Sequence, residues 1–133
     1  MSGHIKVHHI AVAVDDIDSS LAFWRDALGL ELGGVDEVPE QKAKVAFLEA
    51  GESHIELVQP TASDTGVARF LEKRGGGIHH LCLEVADIDA ALISLKAKGI
   101  RLINEKPLTR ENGRRYAFVH PGSTGGVLLE LYE

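Results

Sequence analysis

The strongest constraint on this chain is that its sequence contains the same module twice. Residues 8–14 read HHIAVAV, and 71 positions later residues 79–85 read HHLCLEV. The same spacing carries the Asp-Ile-Asp triplet at residues 16–18 onto the triplet at residues 87–89. Because a repeated sequence folds into a repeated supersecondary unit, we expect two structurally similar modules.

The spacing of the repeat grows slightly toward the end of each copy. The triplet Ile-Glu-Leu at residues 55–57 corresponds to Leu-Glu-Leu at residues 129–131, which is a spacing of 74. A run of three glycines lies where the copies join. The modules therefore span about residues 5–74 and 77–133, and the length fits a single domain over the whole chain, 1–133.

Each module predicts one strand, one helix and then three further strands. Apolar residues at helical spacing follow a β-branched strand, and a glycine ends each helix, as C′ glycines do. The elements predicted for the first module are a strand at Val7–Val14, a helix with the apolar face Ile17, Leu21, Trp24 and Leu28, strands at Leu30–Leu32, Lys44–Leu48 and His54–Val58, and a short helix over Val67–Lys73. Those predicted for the second are a strand at 80–85, a helix that ends at Gly99, and strands near 100–103, 115–119 and 127–132, with the segment 104–114 least regular. This order predicts an α+β fold with helices on one face of the sheet.

Composition and charge exclude several classes of protein. The net charge of −6 disfavours nonspecific binding to nucleic acid or to an anionic membrane. No apolar run approaches the ~20 residues that cross a bilayer, and residues 1–6 lack the apolar segment of a secretory signal. The single cysteine, Cys82, has no internal partner for a disulfide and is expected in the core or beside a site. We therefore expect a cytoplasmic domain that binds neither nucleic acid nor membrane.

Four polar residues interrupt apolar strands at matching positions in the two modules. Successive side chains of a strand point to opposite faces, so His9 lies opposite the helix-packed residues, and His80 does the same in the second copy. Glu56 and Glu130 each lie between two apolar residues and point away from the apolar face of their strand. If the modules pair around a pseudo-twofold axis, two imidazoles and two carboxylates converge.

This set of side chains is what a divalent metal site requires. Imidazole and carboxylate ligands suit Co, Mn, Ni, Zn or Fe(II), and two carboxylates neutralise the charge of the ion. Four protein ligands leave two positions of an octahedron for water or substrate. A lone histidine or glutamate in a strand is more often structural, but repetition at matching positions favours a metal site for these four residues. For the neighbouring His8 and His79, strand parity favours a structural role.

A series of motifs extends over nearly the whole chain, from about residue 5 to residue 132. The motifs are HIAVAV at residues 9–14, PEQ at 39–41, IELVQP at 55–60, VARFL at 67–71, GIHHL at 77–81, HP at 120–121 and GGVLLEL at 125–131. On these motifs the chain resembles the vicinal oxygen chelate superfamily and, within it, the methylmalonyl-CoA epimerases. The resemblance implies that the paired βαβββ modules form a cupped, partly closed eight-stranded sheet around a metal ion.

The resemblance also implies an activity, which is the metal-dependent interconversion of (2R)- and (2S)-methylmalonyl-CoA. The C2 proton is removed, a metal-stabilised enolate forms, and a proton returns on the other face. The metal ligands of the family fall on the four residues that the repeat already selects. An acidic residue that moves the proton in some members falls on Val45 here. The candidate catalytic residues are therefore Glu130 and Glu56, if a carboxylate can leave the metal, and Lys44, from the strand that lacks the acid.

Two other functions stay open from the sequence. One is a glyoxalase I-type lactoylglutathione lyase, or another metalloenzyme of the same superfamily. The other is a non-enzymatic ligand-binding module, which typically lacks the metal ligands. The expected partners are a small acyl-CoA substrate and a second copy of the chain, because related proteins are commonly dimers and the apolar helix that bears Trp24 can contribute to an interface.

Overall fold

The structure is a computed structural model, and it describes residues 5–133. Of residues 1–6, which the sequence predicts to lack a secretory signal, residues 1–4 lie outside the described residues. The elements of the first half are β1 (Lys6–Ala13), α1 (Ile17–Leu21, continued by a π-helical segment Ala22–Ala27), β2 (Glu31–Val38), β3 (Ala43–Ala50), β4 (Ser53–Pro60) and α2 (Gly66–Arg74). Those of the second half are β5 (Gly77–Glu84), α3 (Ile88–Ala97), β6 (Leu108–Thr109), β7 (Arg115–Val119) and β8 (Leu129–Tyr132). Within residues 5–133, no helix is both long enough and apolar enough to cross a membrane.

The chain divides into two compact units close to the boundary that the repeat predicts. The first unit is His9–His79, and the second is His80–Glu133 together with the stretch that ends at His8. The second unit therefore includes the start of β1, up to His8, and the first unit includes the start of β5, up to His79. In the second unit the ring of His8 lies 4.6 Å from the ring of Tyr132, and in the first unit the ring of His79 lies 5.2 Å from that of Phe70. That the whole chain is one domain stays a prediction.

In the first unit, four strands have the order β2-β3-β4-β1, and helix α1 covers one face of them. The β1–β4 pair is parallel, whereas β2–β3 and β3–β4 are antiparallel. Ile17 and Leu21 of α1 pack on strand residues of one face, which are Ala46, Leu48 and Leu57. The other face carries a smaller apolar cluster made of Ala11, Ala43, Val45 and Val58.

The second unit repeats this arrangement with the order β5-β8-β7-β6. The β5–β8 pair is parallel and the other two pairs are antiparallel. Ile88 and Leu92 of α3 pack against Val85, which directly follows β5, and against the strand residues Ala117, Val119 and Leu131. The predicted α+β class and the βαβββ order of each module are therefore confirmed, with α2 added at the end of the first copy.

The repeat extends to the way each helix begins. The carboxylate of Asp16 accepts the backbone N–H of Ser19 at 2.9 Å, and that of Asp87 accepts the N–H of Ala90 at 3.0 Å. Such caps satisfy N–H groups that have no partner within the helix. A second acceptor comes from the end of each copy: the backbone N–H of Ile17 donates to the Gln59 side chain at 2.9 Å, and that of Ile88 to the Glu133 side chain at 2.8 Å.

Helix α1 of the first copy is one residue longer than helix α3 of the second, and the π-helical segment of α1 accommodates the additional residue. From the capping aspartate to the closing glycine, the first copy runs from Asp16 to Gly29 and the second from Asp87 to Gly99, which is one residue shorter. The N–H of Leu28 donates to the carbonyl of Phe23, five residues earlier, at 2.8 Å. An α-helix that contains one additional residue widens locally into a π turn, which keeps both ends of the helix in place.

The structure corrects two strand predictions. Residues 100–103 form no strand, and Leu102 makes only an isolated bridge to Val119. The side-chain oxygen of Asn104 accepts the N–H of Phe118 at 2.9 Å, so a side chain takes the place of the backbone acceptor that a ladder needs. The strand is instead β6, Leu108–Thr109, within the segment 104–114, which the sequence indicates to be the least regular. In the first unit, β2 extends to Val38, well beyond Leu32, because it pairs along β3 after a bulge between Leu32 and Gly34.

Candidate functional site

In the first unit, a histidine and a glutamate from neighbouring parallel strands meet on the face opposite α1. Nδ1 of His9 lies 3.2 Å from Oε2 of Glu56. In the β1–β4 register Glu56 is level with Ala11, two residues after His9, so the two side chains share a face. The side chain of His9 is buried and that of Glu56 is 13% exposed. The small Ala11 leaves the space in which the two polar side chains meet.

The second unit contains the same pair at the repeated positions. Nε2 of His80 lies 3.1 Å from Oε1 of Glu130. Glu130 is level with Cys82 in the β5–β8 register, as Glu56 is level with Ala11. The side chain of Glu130 is only 1% exposed. A carboxylate this deeply buried requires charged or hydrogen-bonding partners.

The spacing within each pair suits two ligands of one ion. Ligand atoms at about 2.0–2.2 Å from a divalent ion, at angles between about 90° and 109°, lie roughly 2.8 to 3.6 Å apart. The two measured separations, 3.2 and 3.1 Å, fall in this interval. The donors are therefore of the right type and spacing for a transition metal in each unit. That both pairs bind the same ion stays a prediction.

An aromatic residue stands beside each glutamate, again at repeated positions. Phe47 of β3 is level with Glu56, and Phe118 of β7 is level with Glu130. The ring of Phe118 also meets the ring of His80 edge-on, with centroids 5.6 Å apart. Apolar walls exclude water and strengthen electrostatic interactions between the polar groups that they surround.

The repeat gave no signal for Arg110, which the structure places beside Glu130. Its guanidinium NH2 lies 2.9 Å from Oε2 of Glu130 and its central carbon lies 3.8 Å from the centre of the Tyr116 ring. The equivalent position in the first copy, 71 residues earlier, is Pro39, which carries no charge. In the sequence, Arg110 is one of several basic residues in an irregular segment, so only the fold reveals its position.

Lys44 is not brought to this face of the sheet. In the β3–β4 register Lys44 is level with Gln59, whose side chain accepts the N–H of Ile17 at the start of α1. Lys44 also helps to lower the pKa of the Asp16 carboxyl, whose main cause is the hydrogen bonds from Ser19. Lys44 therefore lies on the α1 face, because strand neighbours alternate. Val45, the next residue, is the one that shares the face of Glu56.

The remaining residues singled out from the sequence have packing contacts. The rings of His8 and His79 pack on aromatic rings, as described above, which fits the structural role expected for both. Cys82 is fully buried in the row of residues that contains His80, in agreement with its predicted place in the core or beside the site.

A known sequence pattern covers most of the chain. The pattern of the glyoxalase/bleomycin resistance protein/dioxygenase superfamily matches residues 8–118. The chain belongs to this superfamily. The resemblance inferred from the motifs is therefore confirmed, and both modules contribute to the match.

Curated relatives in this superfamily are similar over nearly the full length. The mitochondrial methylmalonyl-CoA epimerase of Bos taurus is 40% identical over 127 residues, which cover 95% of this chain and 73% of the bovine protein. The ethylmalonyl-CoA/methylmalonyl-CoA epimerase of Cereibacter sphaeroides is 38% identical over 128 residues, which cover 95% of this chain and 96% of that protein.

A solved structure from the superfamily has the same fold. A variant of Streptomyces coelicolor methylmalonyl-CoA epimerase, in complex with 2-nitronate-propionyl-CoA, matches with a TM-score of 0.88 and 33% identity. The match covers 96% of this chain and 92% of the other. The predicted fold class is confirmed by this likeness.

Proposed function

We propose that this protein is an epimerase that interconverts the (2R) and (2S) forms of methylmalonyl-CoA. The observation that carries the proposal is the His-Glu pair, present once in each half of a chain that is similar from end to end to epimerases of this substrate. The C2 hydrogen of methylmalonyl-CoA is flanked by a thioester and a carboxylate, so its removal gives a delocalised enolate. The chemistry therefore needs a group that binds these oxygens and a group that accepts the proton.

We propose that His9, Glu56, His80 and Glu130 jointly hold one divalent ion. Two imidazoles and two carboxylates suit cobalt, manganese, nickel or zinc. When bound, the ion supplies a Lewis acid that polarises the thioester and carboxylate oxygens of the substrate. His9 and Glu130 are buried, whereas the side chains of Glu56 and His80 are each 13% exposed.

Glu56 and Glu130 are the proposed proton carriers, and each acts in this role when its carboxylate oxygen is released from the ion. Both are carboxylates on the face that carries the imidazoles, and Glu56 is the more exposed of the two side chains, at 13% against 1%. An inversion needs one group on each side of C2, and the repeat supplies one carboxylate from each half. Lys44 is not retained in this role because it lies on the α1 face of β3.

The proposal extends to partners and place of action. The substrate class is a small acyl-CoA that carries a carboxylate at C2, and we expect the protein to act as a homodimer in the cytoplasm, without nucleic acid or membrane. Sedimentation equilibrium tests the dimer, and a monomer at micromolar concentration contradicts it.

The test of the activity follows the C2 proton of methylmalonyl-CoA by NMR in D2O. We expect the C2 signal to disappear faster than background with enzyme loaded with Co²⁺ or Mn²⁺, and not with metal-free enzyme. His80→Ala removes a proposed ligand and should abolish both loading and exchange. His79→Ala changes the neighbouring histidine, which packs on Phe70, and should retain both.

The outcomes separate this function from the alternatives. Metal loading without C2 exchange refutes the epimerase proposal, and turnover of a glutathione hemithioacetal by the same sample then identifies a glyoxalase I-type enzyme. A folded protein that takes up neither Co²⁺ nor Mn²⁺ contradicts the metal site and favours a ligand-binding module.

A further inference from the structure

The proposed reaction gives no task to Arg110, although it has a direct contact with a proposed metal ligand. Its side chain is 15% exposed and that of Glu130 is 1% exposed, so the contact between them at 2.9 Å is largely shielded from water. Ion pairs in such surroundings are screened little by solvent. Arg110 is therefore part of the site in the second unit rather than of the surface.

The guanidinium is fixed in position before any ligand arrives. Arg110 and Arg114 close a tight hairpin, in which the N–H of Arg110 donates to the carbonyl of Arg114 at 2.8 Å and the N–H of Gly113 donates to the carbonyl of Arg110 at 2.9 Å. The ring of Tyr116, 3.8 Å away, supports the flat face of the guanidinium. Stacking and a rigid backbone leave its N–H donors aimed in one direction.

The two oxygens of Glu130 consequently differ in their surroundings. Oε1 faces the imidazole of His80, and Oε2 faces the guanidinium of Arg110. A carboxylate can bind an ion through one oxygen or through both, and a hydrogen bond to one oxygen fixes its orientation. Engagement of Oε2 by Arg110 disfavours binding through both.

We propose that Arg110 is a positioning residue that makes Glu130 a one-oxygen ligand, through Oε1. The inference rests on the metal site of the proposed function. Four ligand atoms, one from each of the four proposed side chains, leave two octahedral positions, which is the number that a chelating substrate needs. If Glu130 bound through both oxygens, it would occupy one of these positions.

The test measures metal binding and the visible spectrum of the Co²⁺-loaded protein. Arg110→Met removes both the charge and the donors, whereas Arg110→Lys keeps the charge but loses the planar fork. We expect both variants to change the Co²⁺ absorption bands, because Glu130 without the guanidinium fork can bind through both oxygens and raise the coordination number of the ion. Arg114→Met is the matched control, since Arg114 lies in the same hairpin and stacks on Tyr132, but its charge partner is Glu84.

Each result decides for or against the positioning role. Unchanged Co²⁺ spectra in both Arg110 variants overturn this role. A change in the spectrum of Arg110→Met that Arg114→Met reproduces also overturns it, because such a change results from the loss of a positive charge alone. If Arg110→Met does not fold, Arg110→Lys decides. Wild-type protein that loads Co²⁺ but does not exchange the C2 proton refutes the proposed activity without affecting this result, whereas failure of the wild type to load refutes both.

Discussion

Equivalent leucines in the two halves provide a test of whether the chain unfolds as one domain. Leu57 on β4 and Leu131 on β8 occupy repeated positions, at 0% and 5% exposure, in separate apolar cores. Truncation of such a residue to alanine costs about 2–5 kcal/mol. A chain of 133 residues has a total stability of about 7–20 kcal/mol, so either variant removes a substantial part of it.

The single tryptophan makes the two halves distinguishable. Trp24 packs against the core of the first unit, so its fluorescence reports on that unit, whereas far-ultraviolet circular dichroism reports on both. Strands β1 and β5 each pass from one unit into the other. We therefore expect Leu57→Ala and Leu131→Ala each to lower the urea midpoint of both signals by about 1–2 M.

The decisive variant is Leu131→Ala, because the mutation lies outside the unit that contains Trp24. Coincident fluorescence and dichroism transitions, both shifted, support a single domain. A tryptophan transition that stays at the wild-type midpoint while the dichroism curve splits into two steps refutes it. Leu57→Ala serves as the positive control, since it shifts the tryptophan signal in either case.

Three further predictions concern single interactions. Replacement of Arg110 by Met leaves the buried Glu130 carboxylate without this charged partner. The free energy of unfolding of the metal-free protein, measured in urea, should therefore fall by about 3–5 kcal/mol. A decrease below about 1 kcal/mol contradicts an ion pair that is shielded from water. Hydrogen bonds from Ser19 hold the pKa of Asp16 below its usual value, so the cap contributes stability at neutral pH that is lost as the pH falls through that lowered pKa. The difference in thermal midpoint between wild type and Asp16→Ala should therefore shrink below about pH 4, and a constant difference refutes the role of the charge. At Gly76, φ is +108° and an added Cβ would lie 3.2 Å from a carbonyl of β1, so Gly76→Ala should cost about 1–3 kcal/mol.

The site pairs could be predicted from the sequence because strand geometry leaves little freedom. Once a strand is assigned, parity decides which face a side chain occupies, and the repeat assigns His9 with Glu56 and His80 with Glu130. The same rule places Lys44, the neighbour of Val45, on the α1 face, although the sequence makes it a candidate as a residue of the strand that lacks the family's acid. Adjacent residues of a strand face opposite ways, so this neighbour could not take over the role.

The remaining features depend on tertiary structure that leaves no periodic trace. Arg110 reaches Glu130 from a hairpin whose residues are not repeated in the first copy. The segment 100–103 has the alternation of a strand, but the side chain of Asn104 takes the hydrogen bond that would extend the ladder. The wider turn in α1 leaves only one trace in the sequence. The distance between equivalent residues of the two copies is 71 at the capping aspartates and 70 at the closing glycines, Gly29 and Gly99.

The exchange of strand starts between the units affects any division of this chain into fragments. A cut at the central glycines leaves His8 on one piece and Tyr132 on the other, and likewise separates Phe70 from His79. Each piece then carries one ring of each contact, His8 and Phe70 on the first piece and His79 and Tyr132 on the second. The two contacts can form again only when the complementary piece, or a second copy of the same piece, supplies an equivalent ring.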